Sequence, residues 1–377
     1  MTIPYWLSET ALPRTSVVVA DPDAVVIGGG VTGCAAALRL AQAGRRVRLY
    51  DARGVAEGAS GRNGGFALRG MPASLDVTAE SVGEETARAL NAWTERAIDT
   101  IESLAGDAFR RVGSLRVAVD AEERDELRAE YEALTGAGFA AEWIDGFEPP
   151  FDTRFTAALR HVPDGVLQPA RWVRRLAGHA AEAGVEIREH ERVSSLDQFG
   201  GATVVVCTDG YPSGLLGPIE GLIIPTRGQV IATEPVAERI FEVPHYGRHG
   251  FDYWHQAEDG RIVAGGFRDV SFDSEFTADE QLTEPVQRAL HAFVNDLLGR
   301  ELRVDYAWPG IFGMVMDFLP VVGRVPELEN VWVAGGYSGH GNVLGFACGE
   351  LVARAVAGES APFLDVFDPA RLLNADG

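Results

Sequence analysis

The chain predicts a mixed α/β and α+β protein: a Rossmann-like nucleotide-binding domain, discontinuous in sequence, with an inserted substrate domain built on a mixed or antiparallel β-sheet. Three observations predict it. A short apolar strand runs into Gly28-Gly29-Gly30-Val31-Thr32-Gly33 and then an Ala- and Leu-rich helix. Two more glycine-rich stretches, Ala59 to Gly65 and Gly335 to Gly341, stand far from the first. The fully apolar, parallel-type strands fall into three sequence blocks, with alternating, antiparallel-type strands between them. A chain of 377 residues also exceeds one ordinary core, so two domains are the default.

Ala24 to Ile27 reads as a buried central strand, followed at once by the glycines. Val31 to Ala43 reads as a helix, ended by Gly44 at the C′ position. Val47 to Tyr50 is the second strand and closes on Asp51, completing a βαβ unit of about 30 residues. In such a unit the first glycine makes the tight turn and the second admits a pyrophosphate close to the backbone. The third lets helix and strand pack closely, while the helix N-terminus offers unpaired N–H groups to phosphate. Asp51 lies 21 positions after Gly30, where an acid bonds ribose hydroxyls. The alternative is a glycine-rich turn in an α/β domain that holds no ligand. Residues 78–105 and 121–134 have helical spacing with charged outer faces and read as scaffold; Leu115 to Val119 alternates as a half-buried strand. Another helix runs from Gln168-Pro169-Ala170 through Ala183, and Thr203 to Cys207 is a second buried strand. Gly228 to Thr233 and Arg261 to Gly266 alternate, residues 282–299 form an amphipathic helix, Val331 to Ala334 is a last apolar strand, and Val343 to Ala357 the final helix. These elements assign 1–75, 151–225 and 305–377 to the nucleotide domain, and 76–150 and 226–304 to the substrate domain.

Composition narrows the function. Hydrophobic content of 46% and charged content of 23% are those of a globular protein. The N-terminus lacks the layout of a secretory signal and no apolar run approaches a membrane span, so a cytoplasmic location is expected. A net charge of −22, spread along the chain, argues against nucleic acid and anionic membranes as partners. Cys34, Cys207 and Cys348 show no metal-ligand spacing and read as buried thiols, and no metal is expected. Every one of the 33 basic residues is Arg; without Lys, chemistry through an internal amine is closed. Homodimer and monomer both stay open. Three glycine-rich stretches, at both ends of one chain, favour a long cofactor touched repeatedly by backbone: a flavin dinucleotide, FAD.

Gly28 to Gly33 with Asp51, the block Gly58 to Gly65, Gln168-Pro169-Ala170-Arg171, Cys207 to Tyr211, Arg227-Gly228-Gln229 and Gly335 to Gly341 together resemble the D-amino-acid-oxidase-like superfamily of FAD-dependent oxidoreductases. Ser60 to Gly65 and the early Tyr5-Trp6-Leu7 look most like the γ-glutamylputrescine oxidase branch, beside the sarcosine and glycine oxidases. The resemblance implies an enzyme that takes a hydride equivalent from the carbon beside an amine nitrogen onto flavin N5, with imine hydrolysis afterwards and O2 as acceptor. It implies that Gly28, Gly30, Val31, Thr32 and Gly33 hold the pyrophosphate, that Asp51, Ala52 and Arg53 meet the ribose side, and that Val193 meets adenine. Ala59, Ser60, Arg62, Asn63, Gly64 and Gly65 would run beneath the pyrophosphate and flavin. Thr208, Gly210, Gly336, Gly339, His340, Gly341, Asn342 and Val343 would complete the cofactor site. The stretch Trp308 to Asp317, where relatives carry a linking Cys, has none, so noncovalent FAD is expected. Relatives also place a Lys after the Gly-His-Gly motif and another over the flavin; neither exists here, which puts fast reaction with O2 in doubt unless Arg62 or His340 supplies the positive charge.

The candidate catalytic residues are His340, Arg69, Tyr253 and Trp254. His340 either lines the flavin edge or is a capping histidine. Arg69 either forks a substrate carboxylate or forms an ion pair. Phe251, Tyr253 and Trp254 either wall an amine or amino-acid substrate or pack the sheet, and Trp308, Phe312 and Phe318 pose the same choice. His245 and His249 stand four apart, but Gly247 and Gly250 argue against a helix that would aim both at a metal. Two alternatives remain: an FAD dehydrogenase of a C–OH substrate of the 2-hydroxyacid type, or a noncatalytic FAD subunit of a larger assembly.

Overall fold

A computed structural model describes residues 3–10, 16–148 and 150–373. Its first sheet has six strands in the order Val321–Arg324, Val331–Gly335, Thr203–Val206, Ala24–Ile27, Val47–Tyr50 and Glu186–Arg188. All neighbours are parallel except the outer pair Val321–Arg324 and Val331–Gly335. Ala24–Ile27 and Val331–Gly335 are buried at every position, which is why these strands read as unbroken apolar runs. The helices Val31–Gln42, Pro169–Glu182 and Gly341–Ala357 pack in one layer, and the first and last start from glycine-rich turns at neighbouring points. Gln168 caps the middle helix, its side-chain oxygen accepting from Arg171 N at 2.7 Å, with Pro169 in the first turn.

The second sheet has eight strands in the order Val304–Met314, Ile224–Pro235, Arg261–Gly266, Asp252–Gln256, His245–Gly247, Ser114–Ala118, Ala157–His161 and Ala141–Ile144. It is antiparallel apart from one parallel junction, between His245–Gly247 and Ser114–Ala118. Val286, Leu290, Val294 and Leu297 of helix Glu284–Leu298 pack on one face of it with Ile231, Trp254, Ile262 and Ala264. Their spacing gives the helix a single apolar stripe, and the sheet's other face is left to border the site.

Several expectations shift. Residues 78–105 form two helices, Leu75–Val82 and Glu84–Ala105, because Gly83 takes φ 83° between them. Ser114–Ala118 is almost wholly buried rather than half-buried, since Leu115 and Val117 face one apolar cluster and Ala118 another. Val304–Met314 is a strand the sequence reading did not include; Pro309 within it is tolerated because this strand is the sheet edge. The expected domain limits move as well. Ala157–His161 and Val304–Met314 pair within the eight-stranded sheet, whereas 151–225 and 305–377 had been assigned to the nucleotide domain. Helix Glu84–Ala105, assigned to the substrate domain, packs against Pro169–Glu182 and Gly341–Ala357.

One buried ion pair ties the segment after strand Arg261–Gly266 to the second sheet. Arg227 is 4% exposed and Glu275 1%. The guanidinium forks the carboxylate, Nε to Oε2 and Nη2 to Oε1, both at 2.8 Å. Arg227 also donates to the carbonyls of Ser274 and Asp279, and Gln229 and Thr283 donate to the same carboxylate. Arg227 therefore bonds backbone carbonyls at this junction with a carboxylate partner in addition. Removing one member of such a pair strands the other charge in the interior. Glu275→Ala is expected to lower stability by about 3–5 kcal/mol, and Glu275→Gln by less, in urea unfolding of the flavin-loaded protein.

Candidate FAD and substrate cavity

The first glycine turn is wound so tightly that side chains are excluded. Gly28 has φ 114°, and a Cβ there would stand 2.4 Å from the Cys207 carbonyl oxygen; one on Gly33 would stand 1.8 Å from that of Gly28. Asp51 holds the turn from the next strand, accepting from Gly29 N at 2.6 Å and from Arg53 N at 2.7 Å. Burial raises the pKa of its carboxyl above the ordinary range, and those two amides oppose the shift. Ser60 Oγ accepts from Val31 N at 3.0 Å, joining the second glycine block to the first helix N-terminus.

Two cavities meet at this turn. The larger is about 640 Å³, the smaller about 120 Å³, and they share Gly30, Ala59, Ser60, Cys207 and Asp209 as walls. The smaller is bordered by Asp51, Ala52, Arg53, Val193, Thr208 and Tyr211. There Arg53 donates to both oxygens of Glu280, at 2.9 and 3.0 Å, and Tyr211 donates to the same carboxylate at 2.8 Å. The larger cavity receives two helix N-termini: Gly30, Val31 and Thr32 from one, and Gly339, His340, Gly341 and Asn342 from the other. Both positive helix ends therefore face one space, an arrangement suited to an anionic group. Arg62, Asn63 and Gly64 form its floor.

The remaining cofactor candidates stand behind the walls. Gly33 packs on Gly28; Gly65 donates its N–H to Asn63 Oδ1; Gly210 lies against the Phe312 backbone; and Val343 is in the core. Gly336 donates its N–H to Asp209 Oδ1 at 2.8 Å, while Asp209 Oδ2 accepts from Gly313 N at 2.9 Å. Asp209, not singled out by sequence, thus pins three segments with one buried carboxylate, whose pKa burial raises. Asn63 and Asn342 form a reciprocal amide pair, with N···O distances of 3.1 and 3.0 Å. Asn342 also donates to Phe66 O, so its amide is committed to the scaffold. His255 supports the same loop from below, stacked on Trp6 at 5.8 Å with Nε2 2.9 Å from Gly64 O.

The catalytic candidates divide. His340 lines the larger cavity at the N-cap of helix Gly341–Ala357, and burial pushes its pKa down to about 4. It is neutral at neutral pH and cannot provide the positive charge considered for it. Tyr253 is on the wall, its ring lying across Gly64 and Gly265, where any Cβ would collide with it. Trp254 is not: adjacent residues of a strand face opposite sides, and Trp254 stacks between Phe155 and His245 in the opposite core. Arg69 borders the cavity, but its guanidinium is held by Glu95 at 3.2 Å and Ala140 O at 3.3 Å, so it is not free to clamp a substrate carboxylate. Phe312 and Phe318 reach the cavity wall, whereas Trp308 is buried and donates to Arg62 O at 2.8 Å. His245 stacks in the core while His249 turns to Glu126, so the two do not converge. Sequence reasoning passed over Arg116, Glu130, His161, Tyr246 and Arg268 on the outer wall; nothing local marks them, because helix Ala121–Gly136 and distant strands bring them together.

The fold and the paired cavities define a flavin-dinucleotide oxidoreductase, and the glycine cradle that a Cβ would fill is the feature that fits the cofactor. Residues 23–355 match the family model for FAD dependent oxidoreductases, and the chain belongs to that family. It is 30% identical to "Probable oxidoreductase OrdL" of Rhizobium meliloti (strain 1021), over 94% of this chain and 89% of that protein. It is 28% identical to "Gamma-glutamylputrescine oxidoreductase" of Escherichia coli (strain K12), over 90% and 85%. The crystal structure of glycine oxidase from Geobacillus kaustophilus shares the fold, with a TM-score of 0.76 at 21% identity over 93% of this chain and 98% of that one. Among the described residues no helix is long and apolar enough to cross a membrane.

His255 makes stability depend on pH. Burial pushes its pKa down to about 4 from an ordinary value near 6.5. Between those values the unfolded chain holds a proton that the folded chain does not, so this residue's contribution falls as pH drops from about 6.5 to about 4. His255→Gln keeps a donor for Gly64 O without titrating. Equilibrium unfolding across that window should show a shallower pH slope, by up to about 1.4 kcal/mol per pH unit.

Proposed function

We propose that this FAD-dependent oxidoreductase oxidises the C–N bond of a small amine or amino acid, releases an imine that water hydrolyses, and binds its cofactor without a covalent link. Bound FAD supplies the two-electron acceptor. The observation that carries the reading is the character of the larger cavity: Phe66, Tyr246, Tyr253 and Phe312 give it aromatic walls, and two of its three imidazoles, His340 and His161, have pKa values held down to about 4, the third, His249, standing exposed beside Glu126. A space with such walls and neutral imidazoles favours an amine in its neutral form, the form that can be oxidised. Imidazoles that weakly basic are poor acceptors for a hydroxyl proton, which disfavours a C–OH substrate. The names of the relatives, gamma-glutamylputrescine oxidoreductase and glycine oxidase, agree with C–N chemistry.

The chain's own work is placement and exclusion of water. Tyr253, pinned by two glycines, and Phe66, edge-on to it with ring centroids 5.7 Å apart, form a rigid wall against which a substrate is oriented. Gly30, Ser60 and Asn63 would carry the pyrophosphate and flavin from one side, and the last helix's N-terminus would meet the flavin's anionic edge. Cys207 lies on the wall, but burial raises its thiol well above the usual range, which keeps it protonated and supports a noncovalent cofactor.

The test is anaerobic titration of the flavin-loaded protein. Primary, N-methyl and γ-glutamyl amines are expected to bleach the flavin and 2-hydroxyacids to leave it coloured; bleaching by hydroxyacids alone would overturn the reading. Oxygen is the proposed acceptor, and a slow one. His340 is neutral, and Arg62 is engaged by Glu57 O at 2.7 Å and Pro309 O at 3.3 Å, with Glu280 at 3.8 Å. Stopped-flow mixing should show the reduced protein reoxidising slowly in air and faster with a dye acceptor.

A further inference from the structure

One end of the larger cavity carries more acid than base. Helix Ala121–Gly136 brings Glu126, Ala129 and Glu130 to its wall, positions three and four apart that share one helix face. Asp76, in the first turn of helix Leu75–Val82, borders the same cavity. Leu75 packs on the apolar cluster that holds Leu127 and Leu134, which sets the two helices together. Against these three carboxylates stand Arg116, 2.6 Å from Glu130 and 4.0 Å from Glu126, and the exposed His249, 3.5 Å from Glu126. Asp76 forms no ion pair among the described residues, and its Oδ1 is buried with no hydrogen-bond partner. The charges behind this wall are already settled, Arg69 with Glu95 and Asp164 with Ser114 Oγ at 2.6 Å.

Two further groups are buried here with bonding capacity to spare. Glu130 is 6% exposed, and Arg116 donates to its Oε2 alone. His161 Nε2 stands 3.6 Å from Oε1, too far for a hydrogen bond. His161 is 5% exposed, its Nε2 is buried without a partner, and its pKa of about 4 leaves it neutral at neutral pH, so it does not balance the carboxylate. Burial raises the pKa of Glu130, and the nearby charge of Asp76 adds to the rise against Arg116. The Tyr246 ring stacks on the imidazole, with centroids 6.5 Å apart, and closes this end with an aromatic face. The result is a set of acceptors, fixed by two helices and two strands, that lacks a donor and a cation.

We infer that this end of the cavity receives a second, non-reacting ammonium of the substrate, held by Asp76 with Glu130 and His161. The substrate is then a diamine or an amino acid with a basic side chain. The inference rests on the C–N reading above and narrows its substrate class. An ammonium brings three N–H donors to a site with three free acceptors, and its charge relieves the repulsion between two carboxylates. The aromatic face of Tyr246 adds attraction for a cation. The protein's net charge of −22 draws a dication more strongly than a monocation.

The experiment uses flavin-loaded wild type, Asp76→Asn and Asp76→Glu, titrated calorimetrically and by anaerobic flavin bleaching. The probes are 1,4-diaminobutane beside 1-pentylamine, 1,5-diaminopentane beside 1-hexylamine, and L-ornithine beside L-norleucine; in each pair a methyl group replaces the remote ammonium. At least one dication is expected to bind wild type about tenfold or more tightly than its methyl counterpart, the scale of a charge-assisted pair. Asp76→Asn should reduce that ratio to within about twofold through loss of the dication, and Asp76→Glu should keep part of it. Flavin content should match wild type in both variants. The inference is overturned if wild type prefers no dication, if the preference survives Asp76→Asn, if Asp76→Glu loses it as fully, or if Asp76→Asn loses its flavin. Bleaching by all the amines without preference would leave C–N oxidation standing and remove the ammonium site. Dication binding that Asp76→Asn abolishes, without bleaching by any amine, would do the reverse.

Discussion

The two hydrogen bonds exchanged by the Asn63 and Asn342 side chains hold the rest of the site in register. They join a loop near the start of the chain to the first turn of its last long helix, 279 positions away. On that bond depend the floor under the larger cavity, the direction of one helix N-terminus, and the convergence of that helix with the one beginning at Val31. Each amide is further engaged, Asn63 with Ala59 O and Ser60 O, Asn342 with Phe66 O, so neither can turn without leaving buried polar groups unpaired. Asp209 makes a second tie of the same kind. Its carboxylate accepts from two glycine amides, Gly313 within one strand and Gly336 just past the end of another.

Charge is distributed with comparable economy. Every cation is an arginine, and most of those near the cavities are forked or capped by a specific acid brought from far along the chain, as Glu280 does for Arg53 and Glu275 for Arg227. Matching in this way removes the arginines from chemistry and turns them into structural members. The histidines are removed differently: His161, His255 and His340 are buried enough to stay neutral, with pKa values near 4. What is left is a cavity of aromatic faces and helix ends in which backbone dipoles stand beside side chains already largely matched.

Particular residues show where sequence reading succeeded and where it stopped. Gly28 and Gly33 were legible because their requirement is local: a strand, a turn and a helix in succession leave no room for Cβ. Gln168, Gly44 and the apolar strands were legible for the same reason. Tyr253 and Trp254 were not separable, since both faces of their strand bear aromatics, and a period of two says that neighbours diverge without saying which one meets the core. Arg69 could not be decided between substrate fork and ion pair because Glu95 lies 26 positions away, on a helix that had no reason to be near it until folded. Val304–Met314 went unread, and its Pro309 fits a strand only because this one is a sheet edge.

By itself the sequence determined the nucleotide-binding βαβ unit, the flavin-dinucleotide family and the want of any lysine amine, because glycine spacing, strand apolarity and residue inventory act over a few positions or none. Tertiary structure decided which acid matches each arginine, which aromatic faces the cavity, and how three distant glycine stretches close on one space. Those are facts of pairing between groups remote in the chain, and a charge or a ring acquires its role only when folding chooses its neighbour.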